Sequence, residues 1–344
     1  MDRGTVLITG ANGALGRALV SQILRSPLNA SSHGVYTVRS LSPDRSLEHV
    51  AESNRPPSGH HTYEILPLDL ASLGSVRSFA NDINRRVSSG ELAPIRALVL
   101  NAGFQEHFTL SRSEDNFDLS FQVNHLAHFM LTLLLLKSLD VDHGRIVVIG
   151  SWMHDPDDPR IMPGIYTSEY RPIFASGSIK PLAKGLWSTP EQDPTAASGL
   201  RRYGASKLCQ VAMMIELQRR LDATPALSRV CVSGIDPGGM PSGIMRRASF
   251  LQGTVINNIV GSLLAPIMTW WSPNGILRTP AKSAADILHI LTLTGVSHNI
   301  KGAYFNGSEG ATPSQEARDR KTGQMIWEES MELAGMVEGE TALH

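Results

Sequence analysis

The chain has 344 residues with 42% hydrophobic and 18% charged side chains and a formal net charge of −1, which excludes a globally disordered chain and gives no basic excess for nucleic acid. Its two cysteines, Cys209 and Cys231, exclude a disulfide scaffold and fit a reducing compartment, so a cytoplasmic protein is expected. The opening Met1-Asp2-Arg3-Gly4 lacks the basic and apolar regions of a signal peptide, and no run reaches the roughly 18 apolar residues of a membrane span, so no integral membrane segment is expected.

Residues 5–9 (T-V-L-I-T) form a β-branched apolar run that predicts a buried strand. It leads into Thr9-Gly10-Ala11-Asn12-Gly13-Ala14-Leu15-Gly16 and then a helical pattern over 17–24. Strand, glycine turn and helix start are the context of a phosphate-binding loop, because the free amides and dipole of the helix start favour an anion. The spacing T-G-x-x-x-A-x-G departs from G-x-G-x-x-G, and a plain Gly-rich turn is the alternative.

A second strand over 35–38 ends at Arg39, where an NADP site places a cation for the 2′-phosphate; a solvated arginine is the alternative. Residues 42–59 read as an exposed loop holding a short helix. A third strand over 63–67 is followed by Asp69, which could cap the next helix, predicted over 72–87, or bond an adenine amine. The fourth strand, 95–100, ends in Asn101-Ala102-Gly103. A long helix over 114–139 carries Asn124, either a satisfied core residue or a functional one. The fifth strand, 144–150, has Ser151 at its carboxyl end, the edge where ligands sit in open parallel sheets. This alternation predicts a parallel, doubly wound α/β sheet.

The 51 residues between Ser151 and Tyr203 (152–202) are rich in Pro and Gly and read as an ordered insertion. His154-Asp155-Pro156-Asp157-Asp158-Pro159 is explained by turns and capping more simply than by a metal, and no metal site is expected. Tyr203-Gly204-Ala205-Ser206-Lys207 spaces a phenol and an amine four residues apart, on one face of a helix. A free tyrosine has a pKa of about 10, and a fixed ammonium beside it would lower that value and make the phenol a usable acid or base. A sixth strand over 229–235 and a seventh over 302–306 complete a seven-stranded sheet. The apolar stretch 240–273 reads as a lid over a bulky apolar substrate or, equally, as a core or dimer helix. Thr279-Pro280 opens a helix running to 293, 314–331 is the last helix, and the tail 337–344 is expected to fray.

Taken in order, Thr9-Gly10-x-x-x-Ala14-x-Gly16, Asn101-Ala102-Gly103, Asn124, Ser151, Tyr203-x-x-x-Lys207 and Asp236-Pro237-Gly238 make the chain from 5 to about 310 resemble the short-chain dehydrogenase/reductases. Arg39, V-N-H-L-A-H-F at 123–129 and the long insertion resemble the branch of retinol dehydrogenases and protochlorophyllide reductases, with fungal secondary-metabolite reductases among similar sequences. The resemblance implies a single Rossmann domain over 1–310, with the insertion at 152–200, the lid at 240–279, and 311–344 packed on the same domain. It implies an NADP(H)-dependent oxidoreductase with Tyr203 as proton carrier, Lys207 lowering its pKa and bonding the ribose, Ser151 polarising the carbonyl, and Asn124 supporting the relay through its backbone and a water. The implied cofactor cleft comprises Gly10, Asn12, Ala14, Leu15, Gly16, Arg39, Asp69, Leu70, Asn101, Ala102, Gly103, Tyr203, Lys207, Pro237 and Gly238, with Ser242 in place of a usual threonine. The implied partner is a small-molecule carbonyl or alcohol, with homo-oligomerisation left open. Gly150, where many members carry a second serine, and Asp236 depart from the pattern. A nucleotide-bound isomerase, cyclisation catalyst or regulator is the other class this fold hosts.

Overall fold

The computed structural model describes residues 4–26, 32–41, 46–54, 62–243, 261–293, 300–337 and 339–343. Eight strands form one sheet in the order β3-β2-β1-β4-β5-β6-β7-β8. They are β1 (Gly4–Ile8), β2 (Ser32–Val38), β3 (Thr62–Pro67), β4 (Ile95–Leu100), β5 (Arg145–Ile149), β6 (Cys231–Asp236), β7 (Tyr304–Asn306) and β8 (Glu309–Ala311). All neighbours pair in parallel except β7 and β8, which close an antiparallel hairpin with Asn306 opposite Glu309. That hairpin is the departure from a seven-stranded parallel sheet. Glu309–Ala311 is three residues long and carries no apolar run, so no strand pattern marks it.

β1 is buried at all five positions, as a strand covered on both faces must be. On one face pack α1 (Ala14–Arg25), α2 (Ser46–Ser53) and, far along the chain, α7 (Pro280–Thr292), through Leu19, Ile23, Leu47, Ile287 and Ile290. The other face carries α3 (Leu73–Ser88), α4 (Ala127–Leu135), α5 (Ala196–Ala223) and α8 (Arg320–Leu333), with Phe79, Phe129, Leu208 and Trp327 in its core. The stretch 119–138 is long and apolar enough to cross a membrane, but 89% of it is buried inside the fold, as a central core helix is.

The predicted helix over 114–139 begins only at Leu119, where Asp118 accepts from the Phe121 amide, and its first part is a π-helix, Gln122–Leu126. In that wider turn Ala127 N–H bonds Gln122 C=O, and the Asn124 carbonyl accepts from the His128 ring Nδ1 at 3.2 Å. The predicted last helix is two pieces, Gln315–Arg318 and α8, interrupted at Asp319, whose side chain caps α8. The described tail residues, 337 and 339–343, do not fray: Arg77 pairs with Glu340, Lys137 donates to Gly339 C=O, and Ala342 and Leu343 pack against the core. Of the apolar stretch 240–273, residues 244–260 lie outside the described residues. Its described helix, α6 (Gly261–Trp271), is not a core helix. Gly261 and Ala265 face inward, while Leu263, Ile267, Trp270 and Trp271 are exposed.

Candidate active site

The carboxyl ends of β1, β4, β5 and β6 open onto one cavity of about 1370 Å³. Its first wall is the turn after β1. Gly10 sits at φ +63°, and a Cβ there would come 2.9 Å from the Ala102 backbone, so the turn lies flat on the β4 exit. A Cβ on Gly16 would meet Ala11 and Gly10 backbone at 2.7 Å, which holds α1 close to the turn. Gly13 is the N-cap of α1 and supplies no side-chain cap, leaving the helix start with amides for an anion.

The Thr9 hydroxyl accepts from Asn101 N–H (2.9 Å) and Ala102 N–H (3.0 Å), and the Asn101 amide returns to Thr9 C=O (2.8 Å) and Gly10 C=O (3.1 Å). Asn101 therefore spends its side chain stitching the two turns together. Asn12, Ala14, Leu15, Arg39, Leu70, Ala102 and Gly103 all line the cavity. Arg39 is exposed at its rim and has no acidic partner among the described residues. Asp69 also lines it, accepting from Ala71 N–H at 2.9 Å. The cap of α3 is Ser72 instead, so that alternative for Asp69 falls away.

The second wall carries Ser151, Tyr203 and Lys207. Tyr203 and Lys207 stand one turn apart on α5, and the Tyr203 side chain comes near enough to Ser151, at the end of β5, for their hydroxyls to interact. Both Tyr203 and Ser151 are 7% exposed and line the cavity. Burial pushes Tyr203 up to about 12, against the lowering bond from Ser151 and with Asp236 raising it further. Burial likewise lowers Lys207 to about 7, opposed by Asp236. The expected lowering of the phenol by its lysine does not appear: the causes acting on Tyr203 are burial, Ser151 and Asp236. The Lys207 Nζ stands 5.8 Å from the Tyr203 ring centre, donating to Ile149 C=O (2.8 Å) and the Gln210 side-chain carbonyl (3.0 Å).

Asn124 works through its side chain as well as its backbone. It accepts from Phe104 N–H (2.8 Å) and donates to Phe104 C=O (2.9 Å) and the Ser206 hydroxyl (2.9 Å). It thereby fixes the β4 exit to the turn of α5 between Tyr203 and Lys207. Its carbonyl is engaged by His128, whose Nε2 lies 3.0 Å from the Thr9 hydroxyl. Burial lowers His128 to about 3, so the ring is neutral and acts as a fixed spacer between the glycine turn and the π-helix.

Two departures from the family pattern have structural causes. A Cβ on Gly150 would collide with the Tyr304 hydroxyl, which fills the space a second serine would need. Asp236 is 1% exposed, receives Gly238 N–H at 2.9 Å and faces Arg160 of the insertion at 2.8 Å. Arg160 also pairs with Asp158 (2.7 Å) and lies 5.0 Å over the Trp152 ring. The acidic run is therefore turn chemistry, Asp155 accepting from Asp157 N–H and Asp158 from Arg160 N–H. Pro237, Gly238 and Ser242 line the cavity beside it.

The insertion roofs the cavity with Met162, Pro163, Gly164 and Ile165. It is bolted to α5 immediately before Tyr203. Arg201 bonds Ile165 C=O (2.8 Å), the Ser188 hydroxyl (2.7 Å) and Asp193 (2.6 Å). Arg202 bonds Asp118 (3.1 Å), Ser188 C=O (2.5 Å) and Thr109 C=O (2.6 Å). Sequence reasoning missed Arg160, Arg201, Arg202 and the cavity-lining Gln105 and His107. The available signal was a pair of arginines abutting the tyrosine, in a helix whose next charges are Lys207 and then Glu216.

A family pattern described as short chain dehydrogenase matches residues 4–167. Short-chain dehydrogenase iccH of Talaromyces variabilis is 43% identical, over 99% of this chain and 98% of that protein. Retinol dehydrogenase 13 of Homo sapiens is 28% identical, over 96% of this chain and 85% of that one. The crystal structure of angucycline C-6 ketoreductase LanV with bound NADP has a TM-score of 0.55 at 18% identity, over 89% of this chain and 95% of that one, a likeness of fold.

Proposed function

The chain belongs to the short-chain dehydrogenase/reductase family, and from that premise we propose that it is an NADP(H)-dependent oxidoreductase acting on a carbonyl or alcohol of a bulky, largely apolar small molecule. The observation that carries the reading is the Tyr203–Ser151 hydroxyl pair, with Lys207 one turn away, in a cavity that runs unbroken to the glycine turn.

The residues present fit the cofactor. The uncapped start of α1 at Gly13-Ala14 suits a pyrophosphate, Arg39 at the end of β2 a 2′-phosphate, and Asp69 with Leu70 an adenine. Pro237, Gly238 and Ser242 would border the carboxamide. When bound, the nicotinamide supplies or takes up the hydride.

The protein's own part is proton handling and placement. A carbonyl oxygen seated between Ser151 and Tyr203 receives two hydroxyl donors where negative charge develops. With its pKa up at about 12, Tyr203 holds a proton at neutral pH and can deliver it to that oxygen. Lys207 places a positive charge behind the phenol as the proton leaves. Asp236 and Arg160 neutralise one another at the cavity edge, which leaves the neighbouring lining of Met162, Ile165, Leu200 and Leu264 apolar.

Tyr203→Phe tests the reading. Ketone reduction followed by NADPH oxidation is expected to fall at least about 100-fold, while NADPH binding followed by cofactor fluorescence stays unchanged. Retention of the wild-type rate refutes the mechanism.

A further inference from the structure

Ser151 can polarise a carbonyl only if its hydroxyl hydrogen is free and aimed into the cavity, and His154 bears on that aim. Ser151 follows β5 and caps the short 3-10 turn Trp152–His154, its Oγ accepting from Met153 N–H at 3.2 Å. That bond occupies a lone pair and leaves the hydroxyl hydrogen free to donate. The Ser151 carbonyl is held by the last residue of the same turn. It accepts from His154 N–H at 3.1 Å and stands 2.6 Å from the His154 ring Nδ1.

The tautomer of that ring follows from its other side. Ser314 N–H donates to His154 Nε2 at 3.1 Å, and a backbone amide can only donate. Nε2 is therefore the acceptor, the ring hydrogen sits on Nδ1, and the imidazole donates to Ser151 C=O. His154 is 4% exposed. Burial lowers its pKa, outweighing the raising effects of the Ser151 bond and of Asp155, Asp236 and Asp158, so the ring is neutral at neutral pH. The Tyr304 ring packs against it, 5.1 Å centre to centre. Ser314 is itself fixed, its hydroxyl accepting from Ala317 N–H at 3.2 Å as the cap of Gln315–Arg318. Two residues on, Glu316 accepts from Ile173 N–H (2.9 Å) and Phe174 N–H (2.6 Å) of the insertion. The turn also bears on the phenol. A Cβ on Gly204, next to Tyr203, would lie 2.4 Å from the Met153 carbonyl oxygen, so the turn is pressed against α5 at that point. A shift of the turn therefore moves Ser151 relative to Tyr203.

We propose that His154 is a positioning residue for Ser151: its Nδ1–H clamps the Ser151 carbonyl, and Ser314, from the far end of the chain, fixes the tautomer that lets it do so. His154 is not part of the cavity lining and acts through Ser151. The C-terminal segment 314–316 thereby sets the aim of a hydroxyl in the cavity while it braces the insertion. The inference rests on the redox reading above, and the test separates the two.

The test splits the two bonds of the ring in the full-length protein. His154→Asn keeps an amide N–H at the Nδ1 position and loses the acceptor for Ser314. His154→Gln keeps a carbonyl oxygen at the Nε2 position and loses the donor to Ser151. The probe is benzil, a bulky apolar diketone, and turnover is followed by NADPH oxidation. His154→Gln is expected to lower kcat roughly 10- to 100-fold, the scale of a misplaced catalytic group, with KM for benzil within about twofold of wild type. His154→Asn is expected to keep kcat within about threefold. Its urea midpoint falls, because Ser314 N–H is left buried without an acceptor. If His154→Gln does not fold, His154→Phe, which lacks both bonds, takes its place with the same loss of kcat expected. Retained kcat in the variant without the donor, an equal loss in His154→Asn, or a loss that lies in KM instead of kcat overturns the proposal. A wild type that binds NADPH and leaves benzil unreduced counts against the redox reading. The Ser151 side chain in crystals of His154→Gln with NADP⁺ then decides the inference: a rotated hydroxyl upholds it and an unmoved one overturns it.

Discussion

Arg39 stands exposed where β2 ends, without an acidic partner among the described residues, and that is what gives it a testable role. A guanidinium not already paired can be spent on a phosphate dianion in two charge-assisted bonds. Arg39→Ala is expected to weaken NADPH binding by roughly tenfold or more while leaving NADH within about twofold. Equal losses for the two cofactors, measured by fluorescence titration, would remove Arg39 from the phosphate site. Lys207 gives a second expectation at this scale. Burial lowers it to about 7, so its charge is present below that value and is lost as pH rises through it. Tyr203, up at about 12, keeps its proton across the same range. Carbonyl reduction needs the proton on Tyr203 and the charge on Lys207 together. kcat/KM for reduction is therefore expected to decline above a pH of about 7, and a profile flat through that point would contradict this account.

Among the elements, α5 carries the heaviest burden, because its first turns hold both the proposed catalytic phenol and the anchors of the insertion. Arg202 and Asp118 are fully buried together, and burial pushes Asp118 up and Arg202 down against their mutual attraction. Arg202→Ala leaves a carboxylate buried without its partner, at a cost of about 3–5 kcal/mol. It is expected to lower the urea midpoint by a corresponding amount, and the double variant with Asp118→Leu should recover much of the loss. A single variant as stable as the wild type would show that the pair is not what seats the insertion. The strands other than β8, and the turns after β1, β4 and β6, were legible because β-branched runs broken by glycine have few other uses. The insertion was not. Its prolines and glycines carry no period, and nothing local marks Arg201 and Arg202 as buried until the fold shows α5 entering the core at Ser198. Tyr304 was legible as a strand residue, but its hydroxyl against Gly150 joins positions far apart in the chain, and no local pattern records such a contact. His107 was missed for a similar reason, since Gly103 marks where the chain turns but not which later side chain comes to rest beside the cavity.

Taken whole, the molecule sets a rigid sheet beneath a chamber whose floor, glycine turn and roof are each tied to a neighbour. Thr9 and Asn101 join two turns, Asn124 joins β4 to α5, Arg160 joins roof to floor through Asp236, and the tail is clipped back by Glu340. Only α6 departs from this economy, presenting Trp270 and Trp271 outward at 81% and 83% exposure. The roof matters most. Its two guanidinium bolts share a helical turn with the proposed proton donor, so lifting the ceiling would drag Tyr203 out of register. The chamber therefore behaves as a mould and not as a jaw. On the proposed reading, congeners whose outline overfills it are expected to be rejected outright instead of being gripped more loosely.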